Sequence, residues 1–162
     1  MQGRGVAPAR TAGFTLIELM VVVVIATLLL SIAIPSYMAQ MRESRRTDAR
    51  TALLDLAGRE ESYNSTMNAY TDVPSKLGYS GALFPVTIGS GYYQISACKA
   101  DAGAIPACDP NANPPAGPSY YLTAAPVGAQ ANDTQCGTLA VDSLGNKFAS
   151  GTANIQQCWV SQ

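Results

Sequence analysis

Four cysteines are the residues of this sequence best suited to covalent chemistry. They are Cys98, Cys108, Cys136 and Cys158, and all lie in the second half of the chain. No pair of them has C-x-x-C spacing, and the sequence contains no histidine. A zinc site would need all four thiolates at unusual separations, so we predict disulfides, which form in oxidising compartments.

Glu18 is the second candidate, because it lies within an apolar run that extends from Phe14 to Ile34. As a helix rising about 1.5 Å per residue, this run is long enough to cross the hydrocarbon of a bilayer. A charge in lipid costs about 2.5 kcal/mol or more. The position of Glu18 therefore predicts that its carboxylate has a function.

Catalytic chemistry finds little support in the sequence. Without histidine, Ser-His-Asp and Cys-His arrangements are excluded, and no G-x-S-x-G, P-loop or G-x-G-x-x-G motif is present. Glu60 and Glu61 are adjacent, so on a helix they point apart, and we interpret them as solvated helix charges. We predict neither an enzyme nor a cofactor.

A long helix is predicted at residues 14–62. Pro35 removes one helical N–H and crowds the carbonyl four residues before it, which predicts a kink in this helix. Glu43 and Arg46 have the spacing of a helical ion pair. An apolar stripe at helical spacing should pack on a domain, and Arg45 interrupts it. The members of the stripe are Ile34, Met38, Met41, Ala49, Ala52, Leu56 and Tyr63.

The rest of the chain predicts a small antiparallel sheet. Residues 64–91 contain many glycines and prolines, and we interpret them as a connecting loop. The strand candidates that follow are rich in aromatic and β-branched residues and are joined by glycine-containing turns, which favours a meander. A proline-rich excursion at 101–118 separates the first two candidates. We predict strands at residues 92–98, 119–124, 136–142 and 147–149.

The predicted elements favour one of the three possible cysteine pairings. Cys98 and Cys108 flank the proline-rich excursion, so joining them needs little loop closure. Cys136 begins the third predicted strand, and a bond to Cys158 would tie the end of the chain to the sheet. Such a loop should gain roughly 3 kcal/mol by restricting the unfolded chain.

Nucleic-acid binding is weakly supported. Four sheet tyrosines could stack on bases, but strand alternation turns one of each adjacent pair inward. The side chains sum to a net charge of −1, and no segment forms the concentrated basic patch that nucleic acid demands. The tyrosines are Tyr92, Tyr93, Tyr120 and Tyr121.

The run G-F-T-L-I-E at residues 13–18, after a short basic leader, resembles the processing site of type IV pilins. The resemblance implies that a prepilin peptidase cuts between Gly13 and Phe14 and methylates the new N-terminus of Phe14. It also implies that Glu18 is the assembly carboxylate. An ordinary signal peptide, cut after Ser31-Ile32-Ala33, is the alternative and leaves the G-F-T-L-I-E order as coincidence.

One position departs from the family pattern, and a further motif extends the resemblance to the second half of the chain. Many pilins carry glycine where this chain has Thr27, and the pilin helix can loosen between that position and the proline, here Pro35, during assembly. The run A-N-D-T-Q-C-G-T-L-A-V-D-S-L-G-N-K, followed by C-W near the end, resembles the PilE-type branch of the family. The family's C-terminal disulfide loop matches the Cys136–Cys158 pairing.

These features predict an α+β pilin fold, in which the distal half of the long helix packs on the small antiparallel sheet. The predicted segments are a cleaved leader at 1–13, a membrane or filament-core helix at 14–35 and a globular domain at 36–162. The resemblance implies a minor pilin that waits in the bacterial inner membrane with its domain in the periplasm. It then enters an extracellular pilus that supports pilus biogenesis, twitching motility or adhesion.

The implied partners are other pilin subunits, the prepilin peptidase and the pilus assembly machinery. Two alternatives share the leader and the helix. A type II secretion pseudopilin is disfavoured by the two predicted cysteine pairs, and a DNA-uptake receptor pilin is disfavoured by the low basic charge.

Overall fold

The computed structural model describes residues 13–100 and 119–160. The chain divides into two compact units between Ala39 and Gln40. In chain order, the described elements are helix α1 (Leu16–Met67), a 3-10 helix (Pro74–Leu77), strands β1 (Val86–Ile88), β2 (Tyr93–Ala100) and β3 (Ser119–Pro126), a second 3-10 helix (Gly128–Asn132), strands β4 (Leu139–Asp142) and β5 (Lys147–Ala149), and helix α2 (Ile155–Trp159).

The first unit, described over residues 13–39, holds the apolar beginning of α1. Its side chains are exposed throughout. By length and composition, α1 is long and apolar enough to cross a membrane. The hydroxyls of Thr27 and Ser31 donate to the carbonyl oxygens of Val24 (2.9 Å) and Leu28 (2.7 Å). These polar side chains are therefore satisfied within the helix and need no outside partner.

Helix α1 continues through Pro35, as predicted. It begins at Leu16 and ends at Met67, where the sequence predicted residues 14–62. Asn68 ends the helix with a left-handed φ of 53°, a conformation that asparagine tolerates and that commonly closes helices. The predicted kink at Pro35 stays a prediction.

The second unit contains a five-stranded sheet in the order β1-β2-β3-β4-β5, with every neighbouring pair antiparallel. The predicted meander is therefore confirmed. Its longest pairing is between β2 and β3, which runs from Tyr93 opposite Pro126 to Ala100 opposite Ser119.

Two strands differ most from the prediction. β1 lies within the predicted loop at 64–91, because a strand of three residues is too short to show an alternating pattern and depends on pairing with β2. The strand predicted at residues 136–142 begins only at Leu139.

The face of α1 that packs on the sheet is centred on Leu53. Ala49, Leu53 and Leu56 are all 0% exposed and share one core with the inner face of the sheet. The predicted stripe is confirmed at Ala49 and Leu56. Ala52 is half-buried against this core, and Met41 is half-buried outside it. The true stripe is therefore rotated slightly around the helix from the predicted one, and the sequence reading missed Leu53.

The C-terminal segment contains a short helix, α2, that was not predicted. Asn154 caps it by accepting a hydrogen bond from the backbone N–H of Gln156 at 3.1 Å. The indole Nε1 of Trp159 donates to the carbonyl oxygen of Phe148 in β5 at 2.9 Å. Helix α2 thus lies against the last strand of the sheet.

Candidate functional site

The predicted cleavage bond precedes α1. Gly13, Phe14 and Thr15 are not helical, and the Phe14 side chain is 87% exposed. Apart from its chain neighbours, no atom of the described residues lies within 4 Å of the position that a Cβ would occupy at Gly13. The peptide bond between Gly13 and Phe14 is therefore sterically open, while residues 1–12 of the predicted leader lie outside the described residues.

Glu18 and Thr15 form a reciprocal cap at the start of α1. Glu18 Oε2 accepts hydrogen bonds from the backbone N–H and the hydroxyl of Thr15, both at 2.9 Å. The Thr15 hydroxyl oxygen accepts from the backbone N–H of Glu18 at 3.2 Å. This is a capping box, and its signature of threonine followed three residues later by glutamate was readable in T-L-I-E. The sequence reading missed it and assigned Glu18 to assembly alone.

The second predicted feature, the C-terminal disulfide, is present. Cys136 and Cys158 are bonded, with their Cα atoms 5.5 Å apart, and both side chains are 0% exposed. The predicted pairing of these two residues is confirmed. The other predicted pair, Cys98–Cys108, includes Cys108, which lies outside the described residues, so that pairing stays a prediction.

The backbone inside the disulfide loop is closely packed. Gly151 donates its N–H to the carbonyl of Cys136 at 3.0 Å, and Ala153 donates to Gln135 at 2.9 Å. A Cβ at Gly151 would overlap the carbonyl of Gln135 and the nitrogen of Cys136. The loop therefore accepts only glycine at this position without moving its backbone.

A buried ionic cluster joins α1 to the disulfide loop. The guanidinium of Arg46 donates to both carboxylate oxygens of Asp133, at 2.7 Å from Nε and 2.6 Å from Nη2. Glu43 accepts from Arg46 at 3.1 Å and from Arg50 at 2.7 Å. Arg50 Nε donates to the carbonyl oxygen of Cys158 at 2.6 Å. The cluster thus holds Cys158 and the segment just before Cys136 against the helix.

The sequence reading found only one contact of this cluster, the pair Glu43–Arg46. Burial by itself would raise the pKa of Asp133, but the hydrogen bonds and the charge of Arg46 outweigh it and hold the pKa below its usual value. The hydrogen bond to Asp133 likewise raises the pKa of Arg46. Both groups are therefore charged at neutral pH, and each stabilises the charge of the other.

The sheet tyrosines do not form an open stacking surface. Tyr93 and Tyr120 point into the core, and Tyr121 is only 5% exposed. Tyr92 is half-buried, and the guanidinium of Arg45 lies 3.6 Å from its ring centroid. Among the described residues, no group of three or more His, Cys, Asp or Glu side chains is placed to hold a metal ion.

Comparison with known families gives two matches. The family described as type IV minor pilin ComP, DNA uptake sequence receptor, matches residues 35–140. The prokaryotic N-terminal methylation motif matches residues 8–34. Together they cover both the apolar part of α1 and most of the second unit.

Individual relatives were also found. The type IV major pilin protein PilA of Myxococcus xanthus (strain DK1622) is 36% identical over 93 residues, which are 57% of this chain and 40% of that protein. The chain thus spans well under half the length of this curated relative. A solved type IV pilin from Shewanella oneidensis is similar with a TM-score of 0.41 and 24% sequence identity, over 70% of this chain and 97% of that one.

Proposed function

Because this chain belongs to the type IV pilin family, matched over residues 35–140, we propose that it functions as a minor subunit of a type IV pilus. The observation that carries the proposal is the open bond at Gly13–Phe14 directly before a capped, exposed and apolar helix. Before assembly the subunit spans the bacterial inner membrane with its second unit in the periplasm. After assembly it is part of the extracellular filament. No catalytic role is proposed.

Assembly proceeds by transfer of the apolar helix from lipid into a bundle of such helices. The side chains of residues 16–38 are exposed in the single chain, and their close packing against neighbouring subunits stabilises the filament. Contacts of this head-to-tail kind extend without closing, which produces a fibre. Pro35, which gives α1 no N–H at that position, is the proposed point at which the helix bends as it enters the filament.

The mature chain should begin with N-methylated Phe14. The methylation motif matched at residues 8–34 and the non-helical, exposed segment at Gly13–Phe14 support cleavage by a prepilin peptidase at this bond. Mass spectrometry of the subunit isolated from pili would measure its N-terminus. A mature chain that begins at Ile34 would show instead an ordinary signal peptide.

Replacement of Glu18 should stop incorporation into pili without stopping processing. We assign the carboxylate to pairing with the α-amine of Phe14 on a neighbouring subunit, since an opposite charge offsets the cost of its burial in lipid. Both Glu18→Ala and Glu18→Gln should be cleaved normally and should fall at least tenfold in the pilus fraction. Quantitative immunoblots of membrane and pilus fractions would measure this.

The two substitutions separate charge from capping, because glutamine can keep the capping box with Thr15 while losing the charge. Asp48→Ala, which removes an exposed acid elsewhere on α1, serves as the control and should be incorporated normally. Incorporation of Glu18→Gln at the wild-type level would assign Glu18 to capping alone and contradict the pairing.

A second candidate function is reception of DNA during uptake, and it rests on the description of the matched family. Titration of the full-length chain in detergent with fluorescent duplex DNA, at low and at physiological salt, would decide it. Binding that weakens steeply with salt supports a receptor, because phosphate contacts release counterions. A type II secretion pseudopilin is less well supported, since the family match is to a pilin.

A further inference from the structure

Glu60 contradicts the interpretation of the Glu60–Glu61 pair as solvated charges. Glu61 is exposed, but Glu60 is 0% exposed and belongs to the buried face of α1. Its Oε2 accepts a hydrogen bond from the backbone N–H of Thr71 at 3.2 Å. Its Oε1 is buried and has no hydrogen-bond partner among the residues that the structure describes. The misassignment arose because adjacent helix positions point apart, so one can face the core while the other faces water.

The groups that face Glu60 are acids and phenols. Glu61 lies beside it on α1, and Asp72 follows the end of the helix; both add negative charge. Tyr70 lies in the connecting segment and Tyr120 in β3, and the charge of Glu60 acts on both phenols. The nearest cation along the helix, Arg59, is bonded to Asp55 at 2.8 Å and to the carbonyl of Leu77 at 2.9 Å.

Burial without a cation favours the neutral acid. Burial is the main cause that raises the pKa of Glu60 to about 7; the hydrogen bond from Thr71 opposes it, and the charges of Asp72 and Glu61 add to it. When residues 68–73 move away from α1, water would reach the carboxylate and its pKa would return to its ordinary value of about 4.5. Ionisation of Glu60 therefore favours opening. The equilibrium constant for opening should rise between pH 4.5 and 7 and stay constant at higher pH.

The segment at residues 68–73 carries the hydrogen-bond donor to Glu60 and is partly exposed to water. Thr71, which holds Oε2, is itself 3% exposed, whereas Asn68, Ala69 and Asp72 around it are exposed. The rest of the buried face of α1 packs on the sheet. Within residues 68–73, the half-buried Tyr70 packs on the core, with its ring centroid 4.9 Å from that of Tyr120. Release of this segment therefore breaks the Tyr70–Tyr120 contact together with the Glu60–Thr71 hydrogen bond.

We propose that Glu60 and the Thr71 backbone form a proton-operated latch, which holds residues 68–73 onto the end of α1 while the carboxyl is neutral and releases them when it ionises. The latch controls the segment that leads from α1 toward β1. It acts on the second unit alone and does not depend on the proposed assembly role of Glu18.

Hydrogen exchange of the Thr71 amide in the full-length chain in detergent micelles tests the latch. After correction for the intrinsic pH dependence of exchange, protection should fall on the order of tenfold to a hundredfold between pH 5 and pH 8, as expected for a pKa that differs between about 4.5 and about 7. In Glu60→Gln the protection should stay constant over this range. Asp48→Asn, which removes an exposed acid on the same helix, should keep the wild-type slope.

Constant protection in the wild type, or an unchanged slope in Glu60→Gln, would overturn the latch. NMR titration of the Glu60 side-chain carboxyl carbon provides a measurement that needs no variant to fold. A midpoint near 7 supports the latch, and a midpoint near 4.5 contradicts it. Neither measurement involves pilus assembly, so the outcome is independent of the proposed function.

Discussion

Replacement of Asp133 by asparagine should lower the free energy of unfolding of the second unit by about 3 kcal/mol. Asp133 is 3% exposed and accepts two hydrogen bonds from Arg46, which is 8% exposed. Removing one partner of a buried pair typically costs about 3–5 kcal/mol, because the other charge stays buried without compensation. Glu43 still contacts Arg46 in this variant, so the lower end of that range applies.

Denaturant unfolding of the full-length chain in detergent, followed by the fluorescence of its single tryptophan, would measure this loss. Trp159 is 8% exposed and reports on the second unit. The control is Asp55→Asn, which removes an exposed pair with Arg59 and should cost less than about 1 kcal/mol. Equal effects of the two substitutions would show that the Arg46–Asp133 pair contributes no more than a surface pair.

The same pair predicts a loss of stability in acid. The pKa of Asp133 in the folded chain lies below its ordinary value, so folding favours the ionised form. Its contribution is fully present above the unfolded pKa of about 3.9 and is lost as the pH falls through the lowered folded pKa. Glu60 acts in the opposite direction, because its folded pKa is raised and its neutral form is the stable one.

The second large effect is expected from Leu56→Asp, which should unfold the second unit or destabilise it by on the order of 4 kcal/mol. Leu56 is 0% exposed in the core between α1 and the sheet. An aspartate there would lose the apolar contacts and bury an unpaired charge, and both changes are among the most destabilising known.

Leu54→Asp is a matched control for this substitution. Leu54 lies two residues earlier on the same helix and is 54% exposed, so the same chemical change should have an effect within about 0.5 kcal/mol. Thermal unfolding followed by Trp159 fluorescence would compare the two variants. If they unfold at the same temperature, the packing of α1 on the sheet is not as described.

The sequence predicted those features that local patterns determine. The apolar run of α1, the meander and the Cys136–Cys158 bond each follow from periodicity, turn chemistry or loop closure. β1 and α2 were missed because three to five residues are too few for a periodic signal, and their stability comes from the neighbours that they contact.

Buried polar groups were the least predictable part of the candidate site. Arg46 and Arg50 have the sequence appearance of exposed helix cations, and their burial follows from carboxylate and carbonyl partners far away in the chain, Asp133 and Cys158. Glu60 is buried, and one of its oxygens has no such partner within residues 13–100 and 119–160. The capping box of Thr15 with Glu18, in contrast, was a local pattern that the sequence reading overlooked.

The contact between Trp159 and β5 has a consequence for how copies of this chain associate. β5 is the last strand of the sheet, and an uncovered edge strand is a template for unintended pairing with another chain. The indole N–H of Trp159 donates to the carbonyl oxygen of Phe148, so this acceptor is already hydrogen-bonded when another strand approaches. At the opposite edge, β1 is three residues long and follows Pro85, which has no N–H to donate. Both edges of the sheet are thus poor templates for pairing with the sheet of another copy.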